Sequence, residues 1–462
     1  MRMLSASTAL FGSLIVSAPP IVAADATGRP NIVLLFADDL GYSDLSSYGC
    51  ADIKTPAIDS IGRQGIRLTR FYSNSPECTP SRTALLTGRH PQRVGGLECA
   101  IGLGNVGRYD EAEWLQQKGE LGLPTSEATL PRLLRDGGYD TAMFGKWHLG
   151  YDPKFSPQKH GFHESLVVLG GGTDYVTHTE PDGGNVLRRN DQPAKVPGYL
   201  TDVFAASAVE WISRPRTKPY FLYVPFNAPH DPYQGPDDGP AKLPWAKGTR
   251  DIYRKMVGRL DQRVGDILAA IDRSPGARNT IVAFLSDNGG NGVGINLPLR
   301  GFKTTMWEGG IRVPCLVRWP AGIPAGRESA QVMQSIDLAA TVLAAAGVKA
   351  AADRPLDGVN LIDVLNGKKA AFARTVYWRY KRAENRRKAV LDGDDKLVID
   401  NGQRELFNLA KDPHEKVNLL TTHPQKAAEL EAKIIAWEKS VAAPRLRDFV
   451  AAPAAPAGKA GR

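Results

Sequence analysis

Cysteine is scarce: 462 residues contain four, Cys50, Cys78, Cys99 and Cys315. Four would allow three complete pairings, but so few in so long a chain exclude a disulfide scaffold. Long hydrophobic runs are missing after the N-terminus, which excludes a later transmembrane helix. No internal repeat is visible, which argues against repeat architectures. Compact basic runs are nearly absent. Only NRRK (385–388) reads so, and it reads as a solvated loop. A nucleic-acid-binding role therefore rests on net charge alone.

Hydrophobic residues make up 42% and charged residues 23%, the balance of a water-soluble globular protein. The length suits one large α/β domain and a smaller one. With 47 glycines and 33 prolines, ordered loops are expected to be abundant. The N-terminus reads as a secretory signal over 1–26, with Arg2 as its positive start, an apolar stretch over 9–16 and small residues at 23–26. No cysteine follows closely, so no lipid anchor is expected. A signal of this kind implies a periplasmic or secreted protein. The formal charge is +9, or +8 without Arg2, which favours anionic partners such as sulfated glycans or acidic surfaces.

Five apolar runs read as strands: 31–36, 66–72, 139–144, 220–226 and 280–285. Helices are expected between them. One follows Thr55, with Pro56 at its first position and Gly65 as a stop; another spans 129–136; longer amphipathic ones span 201–213 and 250–272. This alternation predicts a mainly parallel sheet covered on both faces, with ligands gathered beyond the carboxyl ends of its strands. A further helix over 335–346 ends this pattern. Segments within 370–420 read as antiparallel strands and turns, and 425–441 as a helix. The expected organisation is a catalytic domain over 27–369, a smaller domain over 370–445 and a low-complexity, disordered tail over 446–462.

Polar clusters follow the strands. Asp38 and Asp39 close the first run, and Asp287 and Asn288 the last. Adjacent acids after a buried strand are costly unless compensated. A lone Asp pair is most often a turn or helix cap. Two clusters on comparable strand ends point instead to a hard cation, because three carboxylates and an amide oxygen suit Ca²⁺ or Mg²⁺ better than Zn²⁺. Lys146 and His148 flank Trp147 in a turn, His230 follows a proline, and Lys303 lies in FKTTMWEGGIRVP. Their placement suits an anion site, with lysine as a point charge and histidine as a proton carrier near neutral pH.

The string Cys78-Thr79-Pro80-Ser81-Arg82, with Thr87-Gly88 after it, resembles the sulfatase signature. DDLGYSD, CTPSRTALLTGRHP, GYDTAMFGKWHLG, NAPHDP, SDNGG and FKTTMWEGGIRVP occur in that family's order, and the resemblance extends from about residue 30 to 420. It is similar to the arylsulfatase A and N-acetylgalactosamine-6-sulfatase types. The resemblance implies an alkaline-phosphatase-like α/β fold, with a large mixed sheet between helices and a small antiparallel C-terminal domain.

The resemblance also implies roles. A separate maturation enzyme would read Cys-x-Pro-x-Arg and oxidise Cys78 to Cα-formylglycine. Residue 78 would then hold one Ca²⁺ with Asp38, Asp39, Asp287 and Asn288. Arg82 would stabilise the modified residue. Lys146, His230 and Lys303 would contact the sulfate, with His230 or Lys303 protonating the leaving oxygen, and His148 would assist turnover. The expected activity is hydrolysis of sulfate monoesters, of sulfated carbohydrates and of aryl sulfates. The alternatives are a phosphoester or phosphonate-ester hydrolase of the same superfamily and a glycan-binding protein without turnover. Segments 99–124 and 169–178 are candidate pocket walls.

Overall fold

The computed structural model describes residues 28–102, 109–242, 245 and 247–450 of the protein. The expected signal segment and the end of the expected tail from 451 lie outside the described residues. Asn31–Ala37 is the central strand. Thr280–Ser286 and Tyr220–Pro225 flank it in parallel, and Asp140–Lys146 and Glu164–Val168 continue in parallel beyond Tyr220–Pro225. Cys315–Arg318 joins Thr280–Ser286 antiparallel, and short strands complete a ten-stranded mixed sheet.

The central strand shows no polar alternation because both of its faces are covered. Val33 and Leu35 pack with Ile58, Ile61, Phe204 and Val264. Ile32, Leu34 and Phe36 pack with Leu85, Leu134 and Leu338. Helices Pro56–Arg63, Leu200–Ser213 and Arg250–Asp272 therefore cover one face, and Cys78–Thr87, Leu130–Asp136 and Ser335–Ala345 the other. Thr55, read from the sequence as a helix N-cap, does precede its helix, but its hydroxyl donates to Asp59 Oδ1 (3.1 Å) and makes no cap hydrogen bond.

Two expectations need correction. The single strand over 66–72 is two, Ile66–Leu68 and Phe71–Tyr72, and they belong to different sheets. The chain turns at Thr69 and Arg70, and Arg70 reaches Asp394 at 2.7 Å. A period of two reads alike in one strand or in two. NRRK is not a loop but opens the strand Asn385–Asp392. Its charges are paired there, Arg387 with Asp400 (2.9 Å) and Lys388 with Glu438 (2.8 Å).

That strand belongs to a four-stranded antiparallel sheet with Thr375–Arg382, Asp395–Asp400 and Gln403–Asn408. Alternation divides its side chains between two neighbours. Val376, Trp378 and Tyr380 pack onto the main body with Tyr72 and Met306. Val390, Leu397 and Leu406 meet Ala427, Leu430 and Ile434 of helix Pro424–Ser440. All four cysteines are buried and unpaired, and no described helix is long and apolar enough to cross a membrane.

Two buried histidines give a pH prediction. Burial lowers His90 to about 4 and His160 to about 3. In the unfolded chain each takes up its proton near pH 6.5, so below that pH the unfolded state binds more protons and stability falls as pH falls. The expected slope is ~1.4 kcal/mol per pH unit for each histidine between about pH 6 and 4. Denaturant melts of wild type and His160→Gln across this range should show a shallower slope in the variant. Identical slopes would remove His160 from the account.

Candidate active site

The site stands at the carboxyl ends of four neighbouring parallel strands. Ala37 pairs with Ser286, so Asp38 and Asp287 leave the sheet side by side. Asp39 takes a left-handed backbone (φ 61°), and its N–H donates to Asp287 Oδ1 at 3.1 Å. Asn288 Nδ2 donates to Asp39 Oδ1 at 2.7 Å. Asp140–Lys146 runs past the expected end of its strand, which makes Lys146 its last residue. The Lys146 ammonium lies 2.5 Å from Asp38 Oδ2. Beyond Tyr220–Pro225, the Ala228 carbonyl accepts from Asp38 N–H (3.1 Å) and sets the turn that delivers His230. Lys303 comes from a loop, held by its N–H on Gly290 O (3.2 Å). Its ammonium lies 2.8 Å from Asp39 Oδ2 and 3.2 Å from His230 Nε2.

Cys78 is the first residue of helix Cys78–Thr87, every residue of which is buried. Arg82 lies one turn later on the same side. It donates to the Lys146 carbonyl (3.0 Å) and to Asp287 Oδ2 (2.9 Å), and its guanidinium sits 5.2 Å from the Phe36 ring centre. One side chain thus ties the helix to three strand ends. Burial pushes the Cys78 thiol up to about 11, with Lys146 and Lys303 opposing and Asp38 and Asp287 reinforcing the rise. The unmodified thiol is protonated at neutral pH and is a poor nucleophile.

His148 has a defined tautomer. Its Nε2 lies 2.5 Å from the Ile101 carbonyl, which can only accept, so Nε2 carries the proton. Burial, Lys146 and Arg82 keep the ring well below its ordinary value, hence neutral. Nδ1 keeps its lone pair and has no hydrogen-bond partner among the described residues.

The acid cluster fits a hard cation. Asp38, Asp39, Asp287 and Asn288 are all buried, and Asp38 Oδ1 and Asn288 Oδ1 have no hydrogen-bond partner among the described residues. Burial and the neighbouring Asp38 push the Asp287 carboxyl up. Burial also opposes ionisation of Asp38, but Lys146, His230, Arg82 and Lys303 together hold it well below the usual range. Crowded carboxylates with orphaned oxygens suit Ca²⁺ or Mg²⁺. His230, which was not expected as a ligand, has a ring nitrogen within 4.8 Å of oxygens of Asp38 and Asp39.

Cys78, His148, His230 and Lys303 line one cavity of about 450 Å³. Both expected wall segments reach it, through Ala100, Ile101 and Gly102 and through Gly171 and Gly172. The cavity also contains Asp231, from the NAPHDP string, and Glu77, Glu180 and Arg382, none of which belongs to a motif. Glu77 accepts from Ala100 N–H (2.7 Å) and pairs with Arg382, which arrives from the C-terminal sheet. The one sequence signal near Glu180 is the glycine triplet 170–172. A Cβ on Gly170 would fall 1.3 Å from Glu180 Oε1, and one on Gly171 2.8 Å from the His148 ring.

The sequence model of the Sulfatase family matches residues 30–348, and that of the N-sulphoglucosamine sulphohydrolase C-terminal region matches 302–439. N-acetylgalactosamine-6-sulfatase of Canis lupus familiaris is 33% identical over 446 residues, covering 89% of this chain and 80% of the relative. Steryl-sulfatase of Mus musculus is 32% identical, covering 79% of this chain and 69% of the relative. The crystal structure of Ps i-CgsB in complex with k-i-k-neocarrahexaose superposes with a TM-score of 0.77 at 31% identity, covering 89% of this chain and 93% of that one. Phosphonate monoester hydrolase of Agrobacterium radiobacter shares the fold, with a TM-score of 0.64 at 21% identity over 89% of this chain and 96% of that one.

Proposed function

The chain belongs to the sulfatase family and is a sulfuric ester hydrolase, and from that premise we propose that it desulfates carbohydrates, and aryl sulfates as well, at the site around residue 78. The observation that carries this reading is the meeting of Cys78, Lys146, His148, His230 and Lys303 above a buried acid cluster. The carbohydrate class is supported by a relative named N-acetylgalactosamine-6-sulfatase and by a similar solved structure in complex with k-i-k-neocarrahexaose.

Cys78 is the residue that a maturation enzyme would convert to Cα-formylglycine, with Thr79-Pro80-Ser81-Arg82 as the rest of its recognition string. The hydrate of that group would supply one hydroxyl to displace the alcohol oxygen from sulfur and a second whose proton loss would release sulfate and restore the aldehyde. Asp38, Asp39, Asp287, Asn288 and residue 78 would hold Ca²⁺, which supplies positive charge toward the reacting oxygens. Lys146 and Lys303 bind and orient the sulfate oxygens and offset developing charge. His230 holds its Nδ1 against the Asp231 carbonyl at 2.6 Å, leaving Nε2 beside Lys303, so this pair delivers a proton to the leaving oxygen. His148 Nδ1, whose lone pair is not engaged by any described residue, takes up the proton released in turnover. The apolar stretch after Arg2, read as a secretory signal, supports a periplasmic or secreted enzyme.

The test compares release from an aryl sulfate and the matched aryl phosphate, before and after treatment with EGTA. Sulfate release should exceed phosphate release, fall with chelation and return with Ca²⁺. Faster phosphate release would favour the phosphoester reading, and indifference to chelation would remove the cation.

A further inference from the structure

The cavity holds an acid that the proposed chemistry does not use. Glu180 is 8% exposed and lines the same space as Cys78 and Lys303. Tyr151 donates to its Oε1 at 2.8 Å. A carboxyl so buried on a cavity wall is costly to desolvate unless donors reach it, and a ligand hydroxyl in the cavity is such a donor.

The surroundings are built to hold that carboxylate. Only glycine at 170 leaves room for Glu180 Oε1 against the backbone. The preceding loop is pinned by Asp174, whose Oδ1 accepts from Val176 N–H (2.8 Å) and Thr177 N–H (2.7 Å). His178 Nε2 lies 2.9 Å from the Gly198 carbonyl. A carboxylate on so constrained a loop is preorganised.

Resting on the sulfatase reading, we infer that Glu180 is a specificity-determining residue whose carboxylate accepts hydrogen bonds from free hydroxyls of the sulfated sugar. A carboxylate offers several lone pairs and no donor, so it matches hydroxyl donors and repels a second sulfate or a uronic carboxylate. Asp231 on the same cavity adds to that repulsion. The preferred substrate is therefore a sulfate ester on an otherwise neutral sugar ring. The basic chain attracts the polyanion at long range, whereas the acid inside the cavity selects the ring. Aryl sulfates have no hydroxyl to offer and gain nothing from Glu180.

The test measures kcat/KM of wild type, Glu180→Gln and Glu180→Ala. The substrates are galactose 6-sulfate, N-acetylgalactosamine 6-sulfate, N-acetylglucosamine 6-sulfate, a carrageenan oligosaccharide and 4-methylumbelliferyl sulfate. For the best sugar, the ratio to the aryl ester should fall roughly tenfold in the Gln variant and about 100-fold in the Ala variant. Equal losses on both substrate types would mean a structural role and would overturn the inference. So would an unchanged ratio, or a wild type that hydrolyses the aryl ester and no sugar. A wild type inactive on every ester removes the sulfatase reading, and this inference with it.

Discussion

Cys78→Ala is expected to abolish sulfate release, with a loss on the order of 10³-fold or more, as befits removal of a nucleophile's only source. The fold should survive, because alanine at the start of a buried helix removes a single sulfur atom and costs about 1 kcal/mol, in the range of small core truncations. A helix N-terminus ordinarily favours a thiolate. Here burial wins and pushes the thiol up to about 11, so an unconverted cysteine gives almost no thiolate at neutral pH. Thiol and aldehyde-hydrate mechanisms both lose activity in this variant, so peptide mass spectrometry across 71–89 of active wild type separates them. Unmodified Cys78 throughout an active preparation rules out the formylglycine route. Undiminished activity of the alanine variant means another group attacks.

Lys396→Met is the second large effect. Lys396 is wholly buried, and its ammonium lies 2.8 Å from both Glu308 and Glu415. Glu308 also accepts from Tyr72 Oη (2.9 Å), and its N–H donates to Glu415 (2.7 Å). The triad joins the C-terminal sheet to the segment that carries Lys303, five residues before Glu308. Removing the cation leaves two buried carboxylates facing each other with only Arg312, 3.3 Å from Glu308, beside them, a loss of ~3–5 kcal/mol for a broken buried pair. The unfolding temperature should fall by several degrees, and activity should fall with it as the segment around Glu308 that follows Lys303 loosens. Burial pushes the Glu415 carboxyl up against the pull of Lys396, so Glu415 is the easier acid to neutralise. Lys396→Met combined with Glu415→Gln should therefore recover part of the loss. A single variant as stable as wild type would show that the triad does not dock the sheet.

The legible residues are those whose local pattern has one structural outcome. Asp38, Asp39, Asp287 and Asn288 directly follow or close apolar runs buried on both faces, so the sheet must place them at its mouth. Lys303 was legible only through its motif, since it stands on no strand and is held by Gly290. Glu180, Glu77 and Arg382 were illegible, because a solitary charge in a loop or strand carries no period. NRRK misled for the same reason: its partners Asp400 and Glu438 come from a neighbouring strand and a distant helix.

Apolar runs, turn residues and the Cys-x-Pro-x-Arg string by themselves determined the layered α/β plan, the strand ends that bear the acids and the residue at its chemical centre. The tertiary structure alone decided the tautomer of His148, the neutral state of the Cys78 thiol, the Lys396 triad and the carboxylate aimed into the cavity. Short-range periodicity records which face of a segment is buried. Charge state and pairing depend on groups distant in sequence, brought within a few ångströms after water has been excluded.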